Sequence, residues 1–274
     1  MSQYEVFRIL REEAQAGRPA AMATVITDSL GAAVGKKLLV LQGHGEFGDL
    51  PVDLLEEIRR VLQDILGQSM TWGQRRQGGQ PAGTLYRELE VGTADSIRRA
   101  GVFFEAFLPS PTLIVLGGGH VAVPIVKVGA LLNYRMIVVD DRATFAAQTR
   151  FPEAEQVILR DFERALDGLP VSPSTAIVIV TRGHRHDTVC LRQALTTGAG
   201  YIGMIGSQRR IRALMGQLEE EGYPSEKLAK IHAPIGLDIG AETPEEIAVS
   251  VMAEITKSRR GGTGLSLSDR RRGG

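Results

Sequence analysis

The residues best suited to chemistry fall in three short strings, each directly after an apolar run. The first, Gly117-Gly118-Gly119-His120-Val121-Ala122, fits G-x-G-x-x-A between the run 112–116 and a helical stretch. In such a turn Gly117 permits the sharp bend, Gly119 lets a phosphate approach the backbone, and Ala122 allows close packing of helix on strand. The helix start adds its positive pole, so His120 and Val121 would stand beside a bound anion. Asp140, Asp141 and Arg142 close the next apolar run, 136–139, where an acidic side chain can accept from ribose hydroxyls. A glycine turn alone merely joins strand to helix. With the strand, the helix and the downstream acid all in place, the pattern favours a phosphate-bearing ligand.

The second string, Thr181-Arg182-Gly183-His184-Arg185-His186-Asp187, follows the run 176–180. Arginine offers a planar fork for phosphate or an oxo-anion, and imidazole exchanges a proton near neutrality. A metal held by His184, His186 and Asp187 would lack a further ligand, and in the plainer reading Asp187 caps the next helix while the arginines stay solvated. The third string, residues 203–210, contains Gly206 and Ser207 before two arginines; Ser207 suits an N-cap, and the turn could hold a second anionic group. His232 and Asp238, in the glycine-rich apolar segment 232–240, could reach the same pocket, although a histidine satisfied inside the fold accounts equally for His232. Cys190 is the only cysteine, which excludes an intramolecular disulfide; its default reading is a small buried hydrophobe, its sharper one a persulfide carrier or metal ligand.

The elements around these strings place them on one edge. From residue 112 the pattern repeats strand, turn, helix, with continuous apolar strands, which predicts a doubly wound Rossmann-type parallel sheet covered on both faces. In such a sheet ligands bind at the carboxyl ends of the strands. Helices are expected over 121–132, 188–195 and 244–257, the last opened by Thr243 and Pro244. The N-terminal part reads as a smaller α+β domain: a helix over 4–15, strands over 21–27 and 37–41, a helix over 51–66, and strands over 84–91 and 102–107. Residues 72–83, rich in Gly, Gln and Arg, are expected to form a loop. Pro109-Ser110-Pro111 sets a boundary between domains at 1–108 and 109–257, followed by a disordered basic tail, 258–274.

Thirty-two basic residues balance thirty-two acidic ones, so the global field gives no attraction for nucleic acid or an anionic membrane. There is no apolar run of membrane-spanning length and no signal-peptide start, which leads to the expectation of a cytoplasmic protein. No Ser-His-Asp order, paired-carboxylate motif or P-loop appears.

The strings at Gly117–Ala122, Asp140–Arg142, Arg150-Phe151-Pro152, 181–187, 201–207 and 232–248 resemble the xanthine dehydrogenase accessory protein family, XdhC/CoxI, over most of residues 110–257. The resemblance implies a maturation chaperone rather than a turnover enzyme. Such a factor holds molybdenum cofactor (molybdopterin), lets a cysteine desulfurase exchange an oxo ligand for sulfide, and delivers the product to a xanthine-dehydrogenase-type molybdenum hydroxylase. The N-terminal half departs from that family at the turn 28–33 and lacks its Cys-Gly-Gly element. The competing reading from the glycine turn is an NAD(P)-dependent oxidoreductase; a scaffold without a ligand is a third. A homodimer is the expected assembly.

Overall fold

The computed structural model describes residues 3–15, 18–43, 45–69, 84–93, 96–108 and 110–268. Among them 3–69 and 84–108 form one unit, and 110–268 form a second. The expected loop at 72–83 and the end of the tail, 269–274, lie outside the described residues.

The first unit contains α1 (Gln3–Gln15), β1 (Ala20–Asp28), β2 (Lys37–Leu41), β3 (Gly45–Gly48), α2 (Val52–Ser69), β4 (Thr84–Thr93) and β5 (Ser96–Phe107). Its sheet runs β3-β2-β1-β5-β4 with every pair antiparallel. Leu54, Ile58, Leu62 and Ile65 recur at helical spacing and bury α2 against Val25, Val102 and Phe104. Val6 and Leu10 of α1 cover the other face beside Met22 and Leu39. With both faces covered, β1 is buried through most of its first half, and the usual alternation is lost there. Strand β3 was not expected; its sequence, Gly-Glu-Phe-Gly, carries almost no strand signal, and it exists because β2 offers an edge.

The second unit contains β6 (Thr112–Leu116), α3 (Ala122–Leu131), β7 (Arg135–Asp140), β8 (Gln156–Leu159), β9 (Thr175–Ile179), α4 (His184–Leu195), β10 (Tyr201–Met204), α5 (Gln208–Glu220), α6 (Ser225–Leu228), β11 (Ile231–His232) and α7 (Pro244–Arg260). Its sheet is parallel throughout, in the order β11-β10-β9-β6-β7-β8. Successive residues of β6 face opposite cores. Leu113 and Val115 pack with Ile125 of α3 and Val251 of α7, whereas Ile114 and Leu116 pack with Leu191 of α4 and Leu214 of α5. This is the expected doubly wound sheet with helices on both faces.

Several boundaries differ from expectation. Helix α4 starts at His184 rather than Thr188, so half of the second string lies in a helical turn and not in a loop. Helix α7 runs past Lys257 to Arg260, where Gly261 at φ 63° takes the left-handed position that ends it. Residues 258–260 are thus helical rather than part of a disordered tail, and 261–268 continue as a described segment. At its start, α7 has the full reciprocal cap: Thr243 accepts from the Glu246 amide, and Glu246 accepts from the Thr243 amide. No helix among the described residues is long and apolar enough to cross a membrane.

Candidate functional site

The order of the parallel strands reverses direction beside β6, whose crossovers run to β7 on one side while β9 lies on the other. The turn after β6 therefore opens at the point where such sheets leave a crevice. Gly117 is at φ 108°, and a Cβ there would lie 2.6 Å from the Val180 carbonyl oxygen; at Gly118 it would lie 2.4 Å from that of Phe145. These two glycines are required by the protein itself. At Gly119 a Cβ would meet nothing within 4 Å, so this glycine leaves a free approach to the backbone. His120 is exposed, Val121 is the N-cap of α3 without a side-chain cap bond, and Ala122 is fully buried against the strand. The first amides of α3 thus stand beside the free approach, uncapped by any side chain.

Asp140 does something other than meet a ribose. It is fully buried, and its carboxylate accepts from the Gly118 amide at 2.8 Å and from the Arg142 amide, Nε and Nη2 at 2.9 Å. Burial pushes this carboxyl up, but the hydrogen bonds from Arg142 and Gly118 outweigh it and hold the group below the ordinary carboxylate range. Its oxygens are occupied inside the protein, which makes Asp140 the brace of the glycine turn. Arg142 then lies over the Phe145 ring at 3.5 Å, and Arg150 Nη2 donates to the Gly118 carbonyl from the other side.

Two further ion pairs join the remaining turns. Arg182, after β9, donates to Asp141, after β7, at 2.9 Å, while Asp141 Oδ1 is buried without a hydrogen bond. Asp187 is nearly buried in the first turn of α4, where its carboxylate accepts from the Thr181 hydroxyl and from Arg210 of α5. It is not the N-cap; Gly183 holds that position. Ser207 does cap α5, accepting from the Arg210 amide, and a Cβ at the preceding Gly206 would lie 3.3 Å from the Ile211 side chain. The structure thereby brings Gly117–Ala122, Asp140–Arg142, Thr181, Arg182, Asp187 and Ser207 to one sheet edge. His184 opens α4 there. Exposed cationic or titratable groups on this edge include His120, Arg182, Arg185 and Arg209.

His232 belongs elsewhere. Its Nδ1 lies 3.2 Å from Glu254, its ring stacks on Tyr201 at 4.4 Å, and Glu254 also accepts from the Tyr201 hydroxyl and the Gly236 amide. The histidine is satisfied inside the fold. Burial pushes the Glu254 carboxyl up, yet the bonds from His232, Gly236 and Tyr201 prevail and hold it at about 2. Asp238 is exposed, in the loop before α7. Cys190 is fully buried in the α4 face, and burial pushes its thiol well above the ordinary range, so it behaves as a hydrophobe. Among the described residues no group of three His, Cys, Asp or Glu side chains is arranged to hold a metal.

Sequence reasoning passed over Phe145 and the role of Arg150, although Arg150-Phe151-Pro152 stood in the resemblance. It also passed over Glu254, whose signal was a carboxylate on the apolar stripe of α7 beside Val251 and Ile255.

Comparison with known proteins extends this picture. Over 212 residues the chain is 29% identical to an uncharacterized protein, YqeB, of Escherichia coli K12, covering 77% of this chain and 37% of that one. Over 159 residues it is 35% identical to a probable xanthine dehydrogenase subunit of Bacillus subtilis 168, covering 58% and 46%. A shorter match, 27% over 89 residues and 32% and 28% of the two chains, is to the molybdenum cofactor insertion chaperone PaoD of Escherichia coli K12. The chain spans less than half the length of these curated relatives. A crystal structure described as a xanthine dehydrogenase from Bacillus halodurans superposes with a TM-score of 0.67 at 22% identity, covering 93% of this chain and 67% of that one; the likeness is one of fold. Residues 113–255 match the family model of the XdhC Rossmann domain, and on that match, over half of its 274 residues, the chain belongs to this family.

Proposed function

We propose that this protein is an accessory factor that holds molybdenum cofactor as cargo and assists its sulfuration and insertion into a xanthine-dehydrogenase-type molybdenum hydroxylase. The observation that carries the reading is the open approach at Gly119 beside the uncapped start of α3, on an edge whose turns are already braced by their own ion pairs. That arrangement suits the terminal phosphate of a pterin cofactor, with backbone amides as donors and His120, Arg185 and Arg209 as surrounding positive or titratable groups. The names of the Bacillus subtilis and PaoD relatives point the same way. Sulfuration needs a persulfide donor. Cys190 is buried and its thiol is pushed up, so the sulfur must come from a partner, and a cysteine desulfurase is the fitting class. Action in the cytoplasm, as a homodimer, completes the reading.

The competing reading, an NAD(P)-dependent oxidoreductase, is favoured by the G-x-G-x-x-A turn. It is opposed by Asp140, whose oxygens are committed to Gly118 and Arg142 and cannot also accept from a ribose. Equilibrium dialysis of the purified chain against molybdenum cofactor, NAD and NADP separates the two, together with activation of a cofactor-free hydroxylase. Near-stoichiometric cofactor binding and a rise in hydroxylase activity are expected. Absence of both, or hydride transfer with a bound nicotinamide, overturns the proposal.

A further inference from the structure

On the face of the second unit that carries α3 and α7, away from the glycine turn, lies an apolar groove of about 450 Å³. Its walls include Val128 and Leu132 of α3 and its C-cap, Val249, Met252 and Thr256 of α7, and the segment at Gly262 and Gly264. Among the described residues of this unit seven large apolar side chains are exposed. Two of them, Leu132 and Val249, line this groove, and two more, Leu131 and Leu265, are next in the chain to lining residues. Leu131 is 81% exposed. Concentration of apolar exposure at one place marks an interaction surface, whereas scattered single residues would not.

The charges around the groove identify what covers it. Glu245, Val249, Met252, Ala253, Thr256 and Arg260 form one stripe of α7, at the three- and four-residue steps that share a helix face. The stripe is acidic at its start, apolar and small in its middle, and basic at its end. Laid antiparallel on a second α7, it is complementary to itself: Glu245 faces Arg260, Val249 faces Thr256, and Ala253 lies at the crossing beside Met252, which is buried at the base of the groove. A two-fold axis through that crossing repeats every pair, which is the condition for an isologous interface. A partner with a different sequence would need no such internal symmetry.

We propose that the α3–α7 face is the contact between two copies of this chain, packed through antiparallel α7 helices with Leu131 and Leu132 at the rim. The inference gives the homodimer of the functional reading a definite surface, and it rests on that reading only for the expectation that a dimer forms. Its test needs no cofactor. Sedimentation equilibrium of the full chain over a concentration series should show a dimer. Glu245→Arg and Arg260→Glu, each placing like charges opposite one another twice per dimer, should each weaken association at least tenfold. The double variant, Glu245→Arg with Arg260→Glu, should restore it, with circular dichroism showing that all three remain folded. A monomeric wild type overturns the proposal and assigns the groove to another occupant. Single variants that dimerise as wild type, or a double variant that stays monomeric while folded, overturn the antiparallel packing. Loss of dimerisation with cofactor binding intact would leave the functional reading standing, and the reverse would leave the interface standing.

Discussion

Replacing each of the three consecutive glycines by alanine should give three different outcomes, because the added methyl group meets different neighbours. At Gly117 the left-handed backbone costs about 1–3 kcal/mol for a non-glycine residue, and the new Cβ would also lie 2.6 Å from the Val180 carbonyl oxygen. At Gly118 it would lie 2.4 Å from the Phe145 carbonyl oxygen, which is backbone and cannot rotate aside. Overpacking of this kind costs about 1–3 kcal/mol. Nothing lies within 4 Å at Gly119, so Gly119→Ala should change stability by no more than about 0.5 kcal/mol. Each kcal/mol moves the melting temperature of a unit this size by roughly 2–4 °C. Gly118→Ala should therefore melt roughly 2–12 °C lower and Gly117→Ala lower still, with Gly119→Ala within about 2 °C of wild type. Binding should run in the opposite sense. In equilibrium dialysis against molybdenum cofactor, Gly119→Ala should lose at least tenfold in affinity, since its methyl would stand on the surface that a phosphate must approach. A Gly119→Ala protein that melts as wild type and binds cofactor as wild type refutes the argument, because the free approach would then serve no ligand.

The other expectations concern two of the buried carboxylates of the second unit, Asp140 and Glu254. Asp140→Asn keeps one acceptor oxygen but sets an amide group against Arg142 or the Gly118 amide; loss of charge-assisted bonds at a buried site should cost about 2–4 kcal/mol, read as a lower urea midpoint at unchanged slope. An unchanged midpoint would mean that Asp140 is free for a ligand after all. Glu254 is held at about 2, against 4.5 ordinarily, so its contribution is fully present above about pH 4.5 and is lost as pH falls toward 2. The stability gap between wild type and Glu254→Gln should consequently be widest above pH 5 and close between pH 4.5 and 2 in acid titrations. A gap that stays constant across that range would remove the charge of Glu254 from the account.

How far the sequence discloses this structure depends on whether a residue's role is set locally. Strand β6 is legible because Thr112–Leu116 are buried on both faces and therefore uniformly apolar apart from the first residue. Strand β8 is half exposed, and β11 has only two residues; both exist because a neighbouring parallel strand offers an edge, which no local pattern encodes. The start of α4 differs from expectation for a related reason. His184 and His186 have little helical preference, and the helix begins there because the chain turns at Gly183.

In the candidate site the same division holds. Gly117 could be read from type alone, since the sharp bend after the strand needs glycine, whereas the need for glycine at Gly118 comes from the Phe145 carbonyl, which the fold brings beside it. The role of Asp140 could not. An acid at the end of the second strand of such a unit serves a ribose in one protein and the turn itself in another, and the choice here is made by Arg142, two residues on and seated over Phe145. The pairs of Arg182 with Asp141 and of Arg210 with Asp187 join distant parts of the chain and depend on side-chain placement. Their effect is to commit many of the edge's charges to rigidity. What remains for a ligand is backbone at Gly119, the first amides of α3 and a few exposed cations, and such a set recognises an anionic group by position rather than by sugar hydroxyls. That selectivity is the physical reason to expect a phosphate-bearing cargo that is held and passed on, in preference to a dinucleotide that is turned over.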